Sequence, residues 1–494
     1  MADIQSLQGP IHWQWWPLLL IALMGLLSYF PMVQAYVWAI DDYPLSQMAR
    51  VGGVEYLGNA FQERGIWRLL QHGLVGWILN WGPWLPGLLA IGVHIVTCQF
   101  FYLVFRHLCG NGDGVLVLAI IAACSPFGFQ AVSWTSALPY VLSSLIFWVS
   151  LWMFLRIHSI PNWAWLIWGP IFAASLLIHE HLLFALAFVA GAAWLMNPQP
   201  NSWRTCLKPS IRWVPPLVAC LYLGGYVLFK PQDHLLYMEP HFHWPALLSP
   251  LGKLWQWLDI WAPVFSPALW QIAASEWPLG WLGSGLCILG GTAALWMTPA
   301  APNEIDAISK RHGKRVMMVM LIFFLLASLI YVPAGGFSLD SRKRYPLCLF
   351  LLGGGGMAIL TWGRGVILRW PHWQKRAATS LLATALMLVC WLHTGLWRAE
   401  ARAMRLLSDF LAANPSCHRV YASKLVDPAK ISPATLRLHG QPWILTLYVS
   451  QPFAMDHPGQ AQPVIKDVPS PGIPSISYDY RSREWTVLPS SVVP

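Results

Sequence analysis

The chain has 494 residues, of which 56% are hydrophobic and only 11% are charged. A soluble domain carries about a quarter charged residues, so this composition excludes an ordinary water-soluble protein and predicts one that lies in a lipid bilayer. The net charge of +10 does not predict nucleic-acid binding, because the basic residues form short clusters between apolar segments. That distribution is typical of cytoplasmic loops, which face anionic membrane lipids.

Apolar segments that are long enough to cross the bilayer, or nearly so, predict about eleven transmembrane helices. The first segment is too long for the core of a signal peptide, so we expect an uncleaved first span. The segments lie at residues 15–40, 83–105, 115–133, 137–156, 163–178, 182–196, 213–229, 279–297, 316–334, 345–362 and 377–397. The predicted fold is therefore an all-α polytopic membrane protein.

The charges of the short loops predict the orientation, because cytoplasmic loops carry the excess of Lys and Arg. With the N-terminus in the cytoplasm, the basic clusters fall inside and nearly all the acidic residues fall outside. The inner cluster residues are Arg106, Arg156, Arg204, Lys208, Arg212, Lys310, Arg311, Lys314, Arg315, Arg364, Arg369, Lys375 and Arg376. We therefore expect a multi-pass protein of the cell inner membrane, with a cytoplasmic N-terminus and a periplasmic or extracellular C-terminus.

Two outer loops are long, and a polar tail follows the last span. The loop at 41–82 has apolar residues at near-helical spacing and predicts a helix in the membrane interface. The loop at 230–278 is rich in Trp and Pro and predicts one or two interfacial helices. The tail, 398–494, predicts a helix from Arg398 to Ala413, strands near Val420 and at 443–449, and a Pro/Ser-rich end. The predicted domains are thus a transmembrane domain at 1–397 and a small extracytoplasmic α+β domain at 398–494.

Asp41 and Asp42 end the first span, at the predicted outer boundary of the membrane. Ionisable groups at such a depth are costly and are commonly functional. A paired, partly desolvated carboxylate is suited to act as a general base toward an alcohol, and it could equally hold a metal ion. A pair of carboxylates that only solvates the helix end remains the alternative interpretation.

Arg342, Lys343 and Arg344 form a basic triplet on a short outer loop, after Asp340. Three cations on the outer side run against the orientation rule, so an anionic ligand is expected to compensate them. The phosphate of a lipid carrier suits this role, because the guanidinium group matches phosphate oxygens. Anchoring to lipid headgroups, or pairing with Asp340, is the alternative.

Other outer residues offer weaker signals. On a helix, the imidazoles of His179 and His181 would point about 200° apart, so Glu180 between them is better suited to hydrogen-bond a substrate than to bind a metal. Trp134, near Tyr140, could stack on a sugar ring. The run of glycines at 353–356 lies inside a span, where small residues let helices approach closely.

Several short motifs together resemble the GT-C superfamily of membrane glycosyltransferases, in particular the polyprenyl-phosphate-sugar-dependent enzymes of the O-antigen glucosyltransferase type. Asp41-Asp42-Tyr43 is similar to the end of the first helix of that family, and Gln62-Glu63-Arg64-Gly65 to its interfacial helix. Ser125-Pro126 with the segment at 134–140 resembles the turn between the third and fourth helices, and Arg342-Lys343-Arg344-Tyr345-Pro346 resembles a late outer loop. The tail beyond 398 carries no resemblance.

The resemblance implies an inverting transfer of a sugar from a lipid-phosphate donor to a glycan, lipid or protein acceptor at the outer leaflet. Asp41, or else Asp42, would be the base, and the basic triplet would bind the donor phosphate. The predicted substrate-binding residues are Glu63, Arg64, Trp134, Tyr140 and Glu180. Because some members of the superfamily need a divalent metal and others do not, a requirement for Mg²⁺ or Mn²⁺ stays open. Neither the sugar nor the acceptor is predicted.

The main alternative is a transporter or flippase of a lipid-linked precursor. Such a protein is expected to have charged or polar residues at mid-bilayer. The interiors of the predicted spans hold few ionisable groups, chiefly His94 and His393, which favours the transferase. A non-catalytic assembly subunit would use its exported tail for binding. An acyltransferase would need a His-based site, for which His179 or His181 is the candidate.

Overall fold

The computed structural model describes residues 15–35, 78, 84–109, 113–133, 137–156, 160–176, 182–196, 264–276, 310–329, 341–362, 370–414, 419–422, 464–466, 475–479 and 484–488, with isolated positions between 217 and 292. Most of these residues are helical. The helices are α1 (Trp15–Ala35), α2 (Trp84–Cys109), α3 (Asp113–Ala123), α4 (Phe129–Ser133), α5 (Leu138–Leu155), α6 (Asn162–Leu176), α7 (Leu183–Ala187), α8 (Val189–Met196), α9 (Pro267–Glu276), α10 (Lys310–Leu329), α11 (Ser341–Trp362) and α12 (His372–Ala413).

Four helical segments within the described residues are long and apolar enough to cross a membrane. Each coincides with a predicted span, which confirms the prediction of a helical, multi-pass membrane protein. The segments are Leu85–Cys109, Leu138–Leu155, Tyr345–Trp362 and Trp373–Ala399. The total of eleven spans stays a prediction, because the spans predicted at 213–229 and 279–297 lie almost wholly outside the described residues.

The predicted span at 115–133 is wrong in its continuity. Helix α3 ends at Ala123, a 3-10 turn occupies Pro126–Gly128, and α4 follows. Pro126 causes the interruption, because proline has no N–H to donate to a helix and disfavours helical geometry in the residue before it. Accordingly, Ser125 is extended, with φ −69° and ψ 122°. A second predicted span, at 182–196, is likewise divided into α7 and α8 at Phe188.

Helix α12 has 42 residues and joins the last span to the helix predicted after it. Strong helix formers (Ala, Arg, Leu and Glu) fill the segment from Arg398 onward, and it contains no proline, so no signal ends the helix at the membrane boundary. The helix ends at Ala413, where the Asn414 side chain donates to the Phe410 carbonyl at 2.8 Å. The predicted domain boundary after residue 397 therefore falls inside one continuous helix.

Helix α9 belongs to the second long outer loop, where the sequence predicts helices. It packs against α12 through a small apolar cluster of Leu269, Ala273, Leu392 and Leu396. The contact is close because Gly395 has no side chain: a Cβ there would lie 2.8 Å from the Ala273 Cα. Helix α9 is thus fixed beside the part of α12 around Leu392 and Leu396.

Aromatic rings join α2, α5, α10 and α11 in the core. The ring of Phe147 meets those of Phe323 and Phe350 edge to face, with centroids 4.7 and 5.0 Å apart. Such contacts favour a fixed packing beyond the simple burial of apolar area. The predicted role of the glycine run is confirmed, since a Cβ on Gly353 would lie 2.7 Å from Phe105 Cζ.

A four-stranded sheet lies beyond α12. Its strands are β1 (Arg419–Ala422), β2 (Val464–Lys466), β3 (Ser475–Asp479) and β4 (Glu484–Leu488), in the order β2-β1-β3-β4. Strand β1 is parallel to β2 and β3, and β3 is antiparallel to β4. The strand predicted near Val420 is confirmed, whereas β3 and β4 lie in the segment read as a Pro/Ser-rich end. The run at 443–449 lies outside the described residues.

The sheet is attached to α12 by Trp485 of β4. This side chain is 6% exposed, and its indole N–H donates to the Ala403 carbonyl at 2.8 Å. Because Ala403 follows the membrane-length segment of α12 closely in the chain, the sheet lies beside the part of α12 that continues beyond that segment. Membrane helix and sheet are therefore joined by one rigid element.

Candidate functional site

The interhelical turn (residues 123–128) is the element around which the candidate site is built. The Ser125 side chain accepts a hydrogen bond from the Phe127 N–H at 3.4 Å, and Pro126 begins the 3-10 turn. Ser125, Pro126 and Gly128 are all buried. The chain thus leaves helical geometry within the protein interior, where each unpaired backbone group is costly.

The backbone carbonyls of three successive residues in this turn each accept a hydrogen bond from the side chain of a different helix. Because the last carbonyls of a helix lack intrahelical partners, these side chains satisfy groups that α3 leaves open. The pairs are Tyr29 Oη of α1 with the Ser125 carbonyl, His94 Nε2 of α2 with the Ala123 carbonyl at 3.0 Å, and Cys390 Sγ of α12 with the Cys124 carbonyl at 3.6 Å. The turn therefore connects α1, α2 and α12.

Tyr29 holds the second half of α1 against this turn. Its side chain is completely buried, and its ring meets the His94 imidazole edge to face at 4.9 Å. Two residues earlier in α1, the Leu27 carbonyl accepts from the Trp391 indole N–H at 3.1 Å. The part of α1 that leads toward Asp41 and Asp42 is thus fixed from two sides.

Tyr345 holds the beginning of α11 against the same turn. The Tyr345 hydroxyl and His94 Nδ1 are 2.8 Å apart, and both side chains are buried. Since His94 Nε2 faces a carbonyl, which only accepts, Nε2 carries the hydrogen, and in the neutral ring Nδ1 accepts from the tyrosine. The hydrogen bonds on both sides therefore fix one tautomer of His94.

Two further contacts seat α11 on the turn. The Tyr345 ring lies directly against Gly128: a Cβ built on that glycine would be only 3.0 Å from Tyr345 Cβ. Ser125 Oγ and Cys348 Sγ are 3.8 Å apart, and either of them can donate. Glycine is needed at position 128 for space, because the tyrosine occupies the volume of a side chain.

The predicted site residues are described only in part. The structure places Arg342, Lys343 and Arg344 in the first turn of α11, directly before Tyr345, and their side chains are outside the description. Tyr140, near the start of α5, is 8% exposed and packs in the core. The remaining predicted site residues lie outside the described residues; they are Asp41, Asp42, Glu63, Arg64, Trp134 and Glu180.

Sequence reasoning missed the contribution of three buried residues. His94 was noted only as an ionisable group within a span, and Tyr345 only as part of a motif. The burial cost of an imidazole in a membrane helix is the signal that could have pointed to a bonded role for His94. Tyr29 carries no such signal, because tyrosine is common near membrane boundaries.

Basic residues gather at the ends of α2, α5 and α10 that lie away from Tyr345. Arg106 and His107 end α2, Arg156 follows α5, and His312 and Arg315 lie in the first two turns of α10. The pKa of Arg156 is lowered, mainly by partial burial and to a smaller extent by repulsion from Arg106. The Arg156 guanidinium lies 5.6 Å from the centroid of the Trp152 ring. Burial is also the main cause that lowers the pKa of His312. These basic residues thus gather at the end of the helices that lies away from Tyr345.

Metal binding is not decided by the described residues. Within the part of the chain that the structure describes, no three His, Cys, Asp or Glu side chains are grouped so as to hold a metal ion. The carboxylates at 41 and 42 and the cluster at 179–181 lie outside that part. The divalent-metal question therefore stays open.

Comparisons with known proteins give one match. No protein-family model matches the sequence, and no curated protein matches it. The chain is similar to the crystal structure of ArnT from Cupriavidus metallidurans bound to undecaprenyl phosphate, with 13% identity and a TM-score of 0.38. The match covers 94% of this chain and 92% of that chain.

Proposed function

We propose that this protein is a membrane glycosyltransferase that moves a sugar from a polyprenyl-phosphate donor to a cell-envelope glycan, lipid or protein. The supporting observation is that α1 and α11 are bonded to the same interhelical turn. Asp41 follows α1 in the chain, and the basic triplet begins α11. The motifs that resemble the GT-C superfamily lie after α1, in the turn itself and at the start of α11, and α1 and α11 meet at the turn although they are far apart in the sequence.

The proposed chemistry is an inverting displacement. Asp41, or else Asp42, takes the proton of the acceptor hydroxyl, and the hydroxyl oxygen attacks the anomeric carbon from the face opposite the phosphate. The bond between that carbon and the phosphate oxygen breaks, and the phosphate leaves with the electron pair. The residues Arg342–Arg344 stabilise the charge of the leaving group. Base and cations would thus carry most of the catalysis.

The distribution of basic residues supports one orientation of the protein in the membrane. The basic residues at the inner ends of α2, α5 and α10 support a cytoplasmic N-terminus, with the basic triplet at the outer face of an inner membrane. Donor lipid would enter between helices from the outer leaflet. Glu63, Arg64, Trp134, Tyr140 and Glu180 are the proposed substrate contacts. A requirement for Mg²⁺ or Mn²⁺ is tested by chelation followed by addition of each ion.

The test is the release of polyprenyl phosphate from a polyprenyl-phosphate sugar by the purified full chain in lipid. Loss of a general base reduces turnover by about 10²- to 10⁴-fold, so we expect Asp41→Asn or Asp42→Asn to reach that range. Asp409→Asn is the matched control, because Asp409 is an exposed carboxylate on α12. It is expected to keep wild-type turnover.

Two outcomes would contradict the proposal. Full turnover in both aspartate variants would eliminate the general-base role. A wild-type protein that releases no phosphate, but moves the lipid-linked sugar across liposome membranes, would replace the transferase with the flippase alternative.

A further inference from the structure

His94 of α2 is a buried residue that contacts the interhelical turn, α1 and α11. Its imidazole is 1% exposed, and both ring nitrogens are bonded: Nε2 to the Ala123 carbonyl and Nδ1 to the Tyr345 hydroxyl. The Tyr29 ring packs on one edge. A histidine inside a membrane helix is costly, and here its hydrogen bonds join two other segments.

The two hydrogen bonds of His94, to the Ala123 carbonyl and to the Tyr345 hydroxyl, determine where α11 begins relative to the interhelical turn. Tyr345 directly follows Arg344, so the residue that is bonded to His94 is the next one in the helix after the basic triplet. Tyr345 cannot slide toward the turn, because Gly128 is already in contact with its ring. The hydrogen bond to His94, the close contact with Gly128 and the contact between Cys348 and Ser125 together set the position of the first turn of α11.

We infer that His94 is a positioning residue for the donor phosphate: it holds Tyr345, and through it the first turn of α11, at a fixed place on the interhelical turn. The inference rests on the proposed function for its catalytic consequence. Neither His94 nor Tyr345 contacts the reacting atoms in this scheme. Their effect is on the placement of Arg342–Arg344, so it should be seen in donor binding.

The test uses Tyr345→Phe, which keeps the ring and removes the hydroxyl, and His94→Leu, which removes the imidazole and both of its hydrogen bonds. Because a net hydrogen bond is equivalent to about a three- to tenfold effect, we expect the donor KM to rise by that factor. We expect kcat to change by less than about threefold, unlike the loss in Asp41→Asn. The double variant should be no worse than the more affected single variant, because both remove one shared interaction.

The matched control is Ser328→Ala. Ser328 is completely buried in α10, which packs on α11, and among the described residues its hydroxyl bonds within its own helix, to the Phe324 carbonyl at 2.8 Å. This variant should leave the donor KM unchanged. A similar rise in KM in the control would mean that general loosening, rather than positioning, causes the effect, and it would overturn the inference.

Amide hydrogen exchange separates this inference from the proposed function. In Tyr345→Phe, the first two turns of α11 should exchange faster than in the wild type, whether or not the protein transfers sugar. Unchanged exchange and an unchanged donor KM would overturn the inference while leaving the transferase intact. If His94→Leu does not fold, Tyr345→Phe alone decides. If the wild type has no transferase activity, only the exchange result decides whether His94 holds α11.

Discussion

Gly128→Ala tests the contact that seats α11 on the interhelical turn. The backbone at Gly128 does not lie in the left-handed region, so alanine can adopt its conformation without strain. The only cost is steric. A Cβ would lie 3.0 Å from Tyr345 Cβ and Cγ, and closer still to Cδ2. These distances are shorter than ordinary carbon contacts of about 3.5–4.0 Å.

The expected destabilisation is set by how far Tyr345 can move. Its hydroxyl is bonded to His94 and its ring is buried, so relief requires α11 or the turn to shift. Adding one methyl group to a well-packed core costs about 1–3 kcal/mol, and the close contact favours the upper half of that range. We also expect a raised donor KM, since the shift would move the basic triplet.

Gly355→Ala is the control, because it adds the same methyl group to α11 where a Cβ would meet nothing within 4 Å. Alanine is favoured over glycine in a helix by about 1 kcal/mol, so this variant should melt at or above the wild-type temperature. Thermal unfolding of the purified proteins in one detergent measures both. A Gly128→Ala protein that melts with the wild type would refute the close packing of Tyr345 on the turn.

Two further substitutions test the contacts that α9 and the four-stranded sheet make with α12. Gly395→Val places a Cβ 2.8 Å from the Ala273 Cα, so α9 must move from α12 at a cost of about 1–3 kcal/mol, and hydrogen exchange in α9 should increase. Trp485→Ala removes the bond to Ala403 and a buried ring, at a cost of about 3–5 kcal/mol, so the sheet should become protease-sensitive while the membrane helices stay resistant. Unchanged exchange, or an intact sheet, would contradict these contacts.

Hydropathy predicted the membrane helices well where a span is one unbroken helix. The segment at 137–156 was predicted almost to the residue, since Arg156 is the residue that caps the end of α5 (Leu138–Leu155). Helix α12 was predicted less well, because hydropathy falls at the membrane boundary while helix propensity does not. A polarity scale therefore reports where lipid ends and is insensitive to a helix that continues beyond it.

The candidate site could be predicted only as separate motifs. The sequence singled out Asp41, Asp42 and the basic triplet by charge and depth, and those properties are visible in one dimension. The bond between His94 and Tyr345 joins residues that are distant in the chain, so no spacing rule could pair them. Tyr29 was invisible for the same reason: its role depends on a carbonyl freed by a turn in another segment.

The interruption of the predicted span at 115–133 explains why the site can form there. A continuous helix would satisfy its own carbonyls and offer nothing to neighbouring helices in an apolar interior. Pro126 ends that pattern, and the three freed carbonyls accept donors from α1, α2 and α12, while α11 joins through His94. Because no water replaces these hydrogen bonds in the buried interior, a helix arrangement that separated any of these pairs would leave a donor and a carbonyl without partners. The proline that breaks the span therefore frees the carbonyls on which Tyr29 of α1, His94 of α2 and Cys390 of α12 meet.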